Sequence, residues 1–388
     1  MRLISTRKLL PLIAAMLLSA LVLAACGDDD GDSDGTTAAN GSGGGGDLVA
    51  EAQRYIEENA PGARELPDSA PKPPEKMTVW AIPCASAASG CQDIVTGVEA
   101  AGKVLGWEVK TFDGQGDPAR WAAGINQAVA AGADAIVTAS IDCAPVKASL
   151  QKARKAGVIT INATGFDCDS VGGQKLFSST VAPAPNEDDW KRTAEVSGAL
   201  QAAWAIAKHD GDVKAIHFTN EEQELTIGLG AGFRDYLQKC DTCEIVKDVP
   251  FQLADLGDPL TQKASSALLA SPDANVAVTP YDPAAAPVAQ AVVAAGKAQK
   301  VQVVGAIGAP LSLELIRDGR GQAMSVGWDV VWLGWAAMDD IIRIANDQEP
   351  VYSGWALGIV DADSLPKGNQ YHGPADYESN YEQIWKGQ

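Results

Sequence analysis

Residues 131–139, Ala131-Gly132-Ala133-Asp134-Ala135-Ile136-Val137-Thr138-Ala139, decide the fold. They close a helical segment over Pro118–Ala131 and open a short, nearly continuous apolar run over Ala135–Ala139. A strand that is apolar on both faces belongs in a parallel sheet covered by helices. The same alternation spreads outward. Upstream, strands are expected at Met77–Ile82 and Trp107–Phe112 around a helix over Asp93–Leu105. Downstream come a helix near Pro145–Ala156 and strands at Val158–Asn162 and Leu176–Thr180. A long helix near Asp188–Lys208 opens a second series, with strands at Val213–Thr219, Glu244–Pro250, Asn275–Thr279 and Val301–Ala306. Helices near Leu225–Gln238, Leu260–Leu269 and Ala284–Ala295 separate them. Some ten strands exceed one compact sheet of ordinary size, so the fold class expected is α/β, with two doubly wound parallel-sheet lobes.

The first residues carry a different message. Arg2, Arg7 and Lys8 precede an apolar run, Leu9 to Ala25, that is short for a membrane span and has the anatomy of an export signal. Leu23-Ala24-Ala25-Cys26 resembles the lipobox of bacterial lipoprotein signals. That resemblance implies cleavage after residue 25, lipidation of Cys26 and an extracytoplasmic location on the outer face of the cell membrane. The 388 residues would then shorten to 363, and the net charge would move from −20 to −23. So acidic a chain disfavours nucleic acid as a partner. Residues 26–76 read as a lipidated flexible tether with a short helix over Leu48–Asn59 and a Pro-rich linker over Pro67–Pro74. Asp30, Asp32, Asp34 and Gly35 imitate half of a calcium loop, but the twelfth position is Gly41, which cannot supply the closing carboxylate.

Six further cysteines, Cys84, Cys91, Cys143, Cys168, Cys240 and Cys243, form an even set in an oxidising compartment and are disulfide candidates, their pairing left open. One C-x-x-C without a nearby histidine makes no zinc site, and no metal or cofactor is expected. The chain has no G-x-S-x-G, H-E-x-x-H or Walker A sequence, and His209, His217 and His372 are scattered, so it does not read as an enzyme. Gly228-Leu229-Gly230-Ala231-Gly232 lacks the dinucleotide spacing and reads as close helix packing.

Several motifs in order carry a family likeness: Phe112-Asp113-Gly114-Gln115-Gly116-Asp117, Ala131 to Val137, Ala153-Arg154-Lys155-Ala156-Gly157-Val158-Ile159-Thr160, Gly305, and Ile316-Arg317-Asp318-Gly319. Together they resemble type I periplasmic binding proteins of the sugar-transport kind, across roughly Met77 to Val360. The loop from Ile82-Pro83-Cys84 to Gly90-Cys91 looks like that of a lipoprotein subset of this family. The resemblance implies two lobes joined by a three-segment hinge, with crossings near Thr180–Ala184, Trp328–Asp329 and Gln348–Ser353. Residues 77–183 and 329–352 would form the N-terminal lobe, 184–328 and 353–365 the C-terminal lobe, and 366–388 a surface-wrapping tail. A return helix is expected at Val330–Ala345, with Gly334 and Ala336–Ala337 allowing close packing.

Loops after the carboxyl ends of strands face the crevice in such sheets. They give Ser86, Asp142, Asn162, Thr164, Asn220, Glu221, Tyr281, Asp282, Trp328 and Asp329 as candidate ligand-binding residues. Carboxylates and amides suit a polyhydroxylated ligand, and an aromatic face suits the C–H side of a ring. Asp142, Asn162 and Asp282 can equally cap the segments that follow them. The chain departs from the family's monosaccharide pattern at Asn162-Ala163, at Gly305-Ala306-Ile307 and at Trp328, and has no arginine in Thr226–Gly232. A ligand less polar than a simple sugar, or one bearing an amine, fits those departures. The expected function is capture of a small molecule, carbohydrate or related, by a monomer that delivers it to the membrane subunits of an ABC permease. The alternative is a receptor signalling to a membrane kinase or chemoreceptor.

Overall fold

The computed structural model describes residues 44–185 and 190–387. The export signal, Cys26, the aspartate cluster at residues 30–34 and most of the tether lie outside the described residues. Among these residues, two sheets form. Strands β1 (Thr78–Pro83), β2 (Glu108–Thr111), β3 (Ala135–Ala139), β4 (Ile159–Thr164) and β5 (Ser179–Thr180) assemble in the order β2-β1-β3-β4-β5. All pairings in this sheet are parallel, with Val79 beside Ala135 and Ile136 beside Thr160. The second sheet contains β6 (Lys214–Thr219), β7 (Glu244–Pro250), β8 (Val276–Val278), β9 (Gln302–Ile307), β10 (Gln322–Gly327) and β11 (Gly358–Asp361), in the order β11-β10-β9-β8-β6-β7. Every residue of β3 is buried, as a strand covered on both faces requires.

Local chemistry sets the helices between them. Asp117 accepts a hydrogen bond from the Ala119 N–H and Pro118 occupies the first turn, starting α3 (Pro118–Ala130). Close approach then fixes two helix pairs. A Cβ on Gly334 of α10 (Val330–Ala345) would stand 2.3 Å from the Ile94 carbonyl of α2 (Ser89–Leu105). A Cβ on Gly232 of α6 (Glu224–Leu237) would stand 1.9 Å from the Glu195 carbonyl of α5 (Trp190–Lys208). Both helix pairs therefore pack backbone to backbone, as the small-residue runs suggested.

Several elements differ from the sequence expectation. β10 and β11 complete the second sheet, and β11 runs antiparallel to β10. A short helix α9 (Pro310–Arg317) and a final helix α11 (Tyr377–Trp385) also form. β5 is two residues long where five were expected, because Leu176 and Phe177 receive the Asp167 carboxylate at their N–H groups instead of joining the sheet.

The chain passes between the lobes after Thr180, at Trp328–Asp329 and between α10 and β11, where crossings were expected. Two more segments accompany them. Helix α1 (Gly44–Asn59) packs on α5, and Tyr55 meets Tyr236 of α6 with centroids 4.6 Å apart. The following residues then run along the third crossing: Gly62 N–H donates to the Leu357 carbonyl, Arg64 N–H to that of Gly354, and Ala63 bridges Trp355. The Pro-rich stretch ends on the first lobe, where its Ser69, Lys72 and Pro74 carbonyls accept from Arg343, Asn346 and Trp107. It is docked along most of its length rather than free. The tail also does more than wrap the surface. Tyr371 is held against the second lobe by the Gly308 carbonyl, and α11 then stacks Tyr377 on Trp332 and Trp385 on Trp335 of α10.

Candidate functional site: a cavity between the lobes

The residues that follow the carboxyl ends of β1, β3, β4, β8, β9 and β10 converge on one cavity of about 500 Å³. Cys84, Ala85, Ser140 and Thr164 reach it from the first lobe, and Leu225, Leu229, Leu256, Tyr281 and Ile307 from the second. Trp328 and Val330 line it from the second crossing. The topology produces this convergence, because parallel strands in both sheets point the same ends at the interlobe space.

Of the candidate residues, Thr164, Tyr281 and Trp328 line the cavity. The others are placed beside it with other partners. Ser86 donates its N–H to Asp113 at 2.8 Å, and Glu221 is exposed. Asn220 is buried and donates to the Glu222 carboxylate at 2.8 Å, while its oxygen accepts from the Thr226 hydroxyl at 3.2 Å. Asn162 is fully buried, and its oxygen accepts from Thr138 at 3.3 Å. Asp329 caps α10 through the Trp332 N–H and also accepts from the Gly373 N–H at 2.9 Å. Asp282 is the first residue of α8 (Asp282–Ala294) and not its cap. Its carboxylate accepts from the N–H groups of Gly308 and Ala309 at 2.8 Å and from Ser325 and Gln322 at 3.0 Å, tying β9 and β10 to α8. Burial raises its pKa to about 6 despite those donors.

Asp142 precedes α4 (Cys143–Lys155) and accepts from the Phe166 N–H at 3.0 Å. Its pKa is raised to about 6, chiefly by burial, and Glu224 of the opposite lobe adds repulsion. Ser170 donates to that same Glu224 at 3.3 Å, so the two lobes touch beside the cavity.

The cavity wall has apolar residues that no motif singles out, Ile94, Leu225, Leu229 and Leu253, and Ile307, which stands where the chain departs from the monosaccharide pattern. Helical leucines after a strand look the same whether they enter a core or a cleft. The Cys84–Cys91 disulfide forms part of the wall, and Cys143–Cys168 ties the start of α4 to the loop after β4. Cys240–Cys243 closes the turn between α6 and β7. Asp167 lies with Cys143 and Cys168 within ligand-like reach, but both sulfurs are committed to a disulfide. Among the described residues, none of the three histidines lines the cavity.

Behind the cavity, three tryptophans gather where the chain crosses. Trp190, Trp328 and Trp355 follow or occupy the first, second and third crossings, with ring centroids 5.5–5.7 Å apart. Each indole N–H is paired: Trp190 with the Val181 carbonyl, Trp328 with Ser197 and Trp355 with the Asp329 carbonyl. Trp328 therefore belongs both to the cavity wall and to the hinge.

Two wound lobes, a chain-crossing hinge and an interlobe cavity define a two-lobed ligand-binding protein of the type I periplasmic-binding-protein fold. The periplasmic binding protein domain family matches residues 80–349, and the chain belongs to that family. The D-ribose/D-allose-binding protein of Pseudomonas aeruginosa is 26% identical over 198 residues, covering 50% of this chain and 58% of that relative's length. Solved structures share the fold. GanP, a glucose-galactose binding protein from Geobacillus stearothermophilus, superposes with a TM-score of 0.63 at 17% identity, covering 76% of this chain and all of that one. The 5-methylthioribose transporter solute binding protein of Thermotoga lettingae gives 0.66 at 14% identity, covering 81% and 100%.

Proposed function

We propose that this protein captures a small solute between its lobes and delivers it to an ABC permease, held at the outer face of the membrane by a lipid on Cys26. The observation that carries this reading is a cavity walled by both lobes and by a hinge tryptophan. A ligand touching both walls stabilises the closed form over the open one, and lobe closure becomes the signal a membrane partner reads. The named relatives bind sugars or a sugar derivative, which makes carbohydrate or a related solute the starting class. Binding without turnover is the expected chemistry, since no nucleophile–base pair or metal set lines the cavity among the described residues.

Mass spectrometry of whatever co-purifies with the gently isolated mature protein identifies the solute. Trp328→Ala is expected to weaken its binding by more than tenfold, about 1.4 kcal/mol, and an unchanged affinity would move the site elsewhere. Cys26→Ala is expected to release the protein from the membrane fraction.

A further inference from the structure

The cavity's polar groups are mostly turned to one another. Ser140 and Thr164 share a hydrogen bond of 2.6 Å. Glu222, exposed and the one charged side chain in the wall among the described residues, accepts at its Oε2 from Asn220 at 2.8 Å and from the Leu253 N–H at 2.6 Å. Thr226 donates within its own turn, and the indoles of Trp121 and Trp328 donate to the Cys84 carbonyl and to Ser197. The Tyr281 hydroxyl is the exception: it is buried and has no partner. The exposed Gln115 and half-buried Gln223 supply the remaining amides.

The rest of the wall is hydrocarbon, from Ile94 on one lobe to Leu225, Leu229, Leu253, Leu256 and Ile307 on the other. Ile307 has a φ of 110°, a conformation that a β-branched residue adopts only when its surroundings enforce it. Its Cδ1 lies 3.1 Å from where a Cβ on Gly90 would stand, so the strained residue projects across the cleft to the opposite lobe. A polyhydroxylated ring placed here would bury several hydroxyls against carbon, and a buried hydroxyl without a partner is costly.

We infer that the cavity takes an amphipathic small molecule, with an aryl or alkyl body against the two apolar walls and one hydrogen-bond acceptor facing the Tyr281 hydroxyl. This inference rests on the reading of the cavity as the solute site. Within that reading it excludes free neutral sugars as the preferred ligand. An apolar body covers the half-buried Leu225 and Ile307, and its single acceptor satisfies the orphan hydroxyl.

Isothermal titration of the full mature chain with two probe sets tests it. Acetophenone, p-cresol and indole-3-ethanol form one set, and D-glucose, D-ribose and D-galactose the other. At least one probe of the first set is expected to bind ten or more times tighter than any free sugar. Ile307→Ser and Leu229→Ser are each expected to weaken that probe at least tenfold, and Tyr281→Phe about threefold, with melting temperatures verifying that the variants fold. Free sugars binding as tightly as the aryl probes would overturn the inference and leave solute capture standing. Binding of neither set would count against both. Aryl-probe affinity unchanged in the folded Ile307 and Leu229 variants would place that ligand outside this cavity and overturn the inference alone.

Discussion

The hinge and the cavity share a wall at Trp328, yet they are built on opposite terms. In the hinge, large aromatic rings are buried against one another and their N–H groups are paired to backbone or side-chain oxygens. Its buried carboxylate, Asp329, is paired as well, with the Trp332 and Gly373 N–H groups. In the cavity most polar side chains pair among themselves and much hydrocarbon faces inward, with the buried Tyr281 hydroxyl left without a partner. A region that must persist is satisfied internally, whereas a region that must exchange its contents leaves its satisfaction to the ligand.

Truncation tests that contrast most severely. Trp355→Ala removes a ring 1% exposed that touches both other hinge tryptophans, and is expected to cost about 3–5 kcal/mol in denaturant unfolding. A loss under about 1 kcal/mol would show that the tryptophan cluster does not hold the joint. Asp282→Asn is next in size. It keeps one acceptor but sets an NH₂ either against the Gly308 and Ala309 N–H groups or against the Gln322 and Ser325 donors, an expected loss of about 2 kcal/mol.

Asp142 gives a smaller, pH-dependent effect. Its carboxyl titrates near 6 in the folded protein and near its ordinary 3.8 when unfolded, so the folded form binds the extra proton between those values. The stability this group contributes is fully present below 3.8 and is lost as pH rises through 6. Denaturant titrations at pH 7 and pH 5 are therefore expected to show wild type gaining on Asp142→Asn as the pH falls. An identical difference at both pH values would remove burial and Glu224 as the cause. The smallest effect belongs to Tyr281→Phe without ligand: the hydroxyl lacks a partner, so stability should change by less than about 0.5 kcal/mol. A large loss there would mean that the cavity holds itself together as the hinge does.

Much of the scaffold was legible because its signals are local. The return helix occupies Val330–Ala345, where the family resemblance placed it, and Gly228 and Gly232 meet the neighbouring helix α5. β10 escaped notice because Gln322 and Ser325 interrupt its apolar run, and both are buried to serve Asp282, a partner some forty residues away. The tail is rich in Tyr, Asn and Gly and has little periodicity. Its order comes from distant surfaces, such as the slot that Gly308, Gly327 and Gly358 leave for the Tyr371 ring. Of the candidate cleft residues, Thr164, Tyr281 and Trp328 follow strand ends and line the cavity, while Asp282, at a comparable position, turns inward to two backbone N–H groups. Position after a strand is readable from the chain. The direction of a carboxylate depends on which donors three-dimensional packing brings near it.

The two accessory crossings have a mechanical consequence. Among the described residues, five lengths of chain span the joint, and two of them are laced to their neighbours, at Ala63 with Trp355 and at Gly373 with Asp329. Three separate cords tolerate twist and slip as well as bending. A laced band behaves as a leaf spring, soft in flexure and stiff in shear and torsion. Lobe closure in this protein is thereby expected to follow a single arc, bringing the same two walls together in the same register.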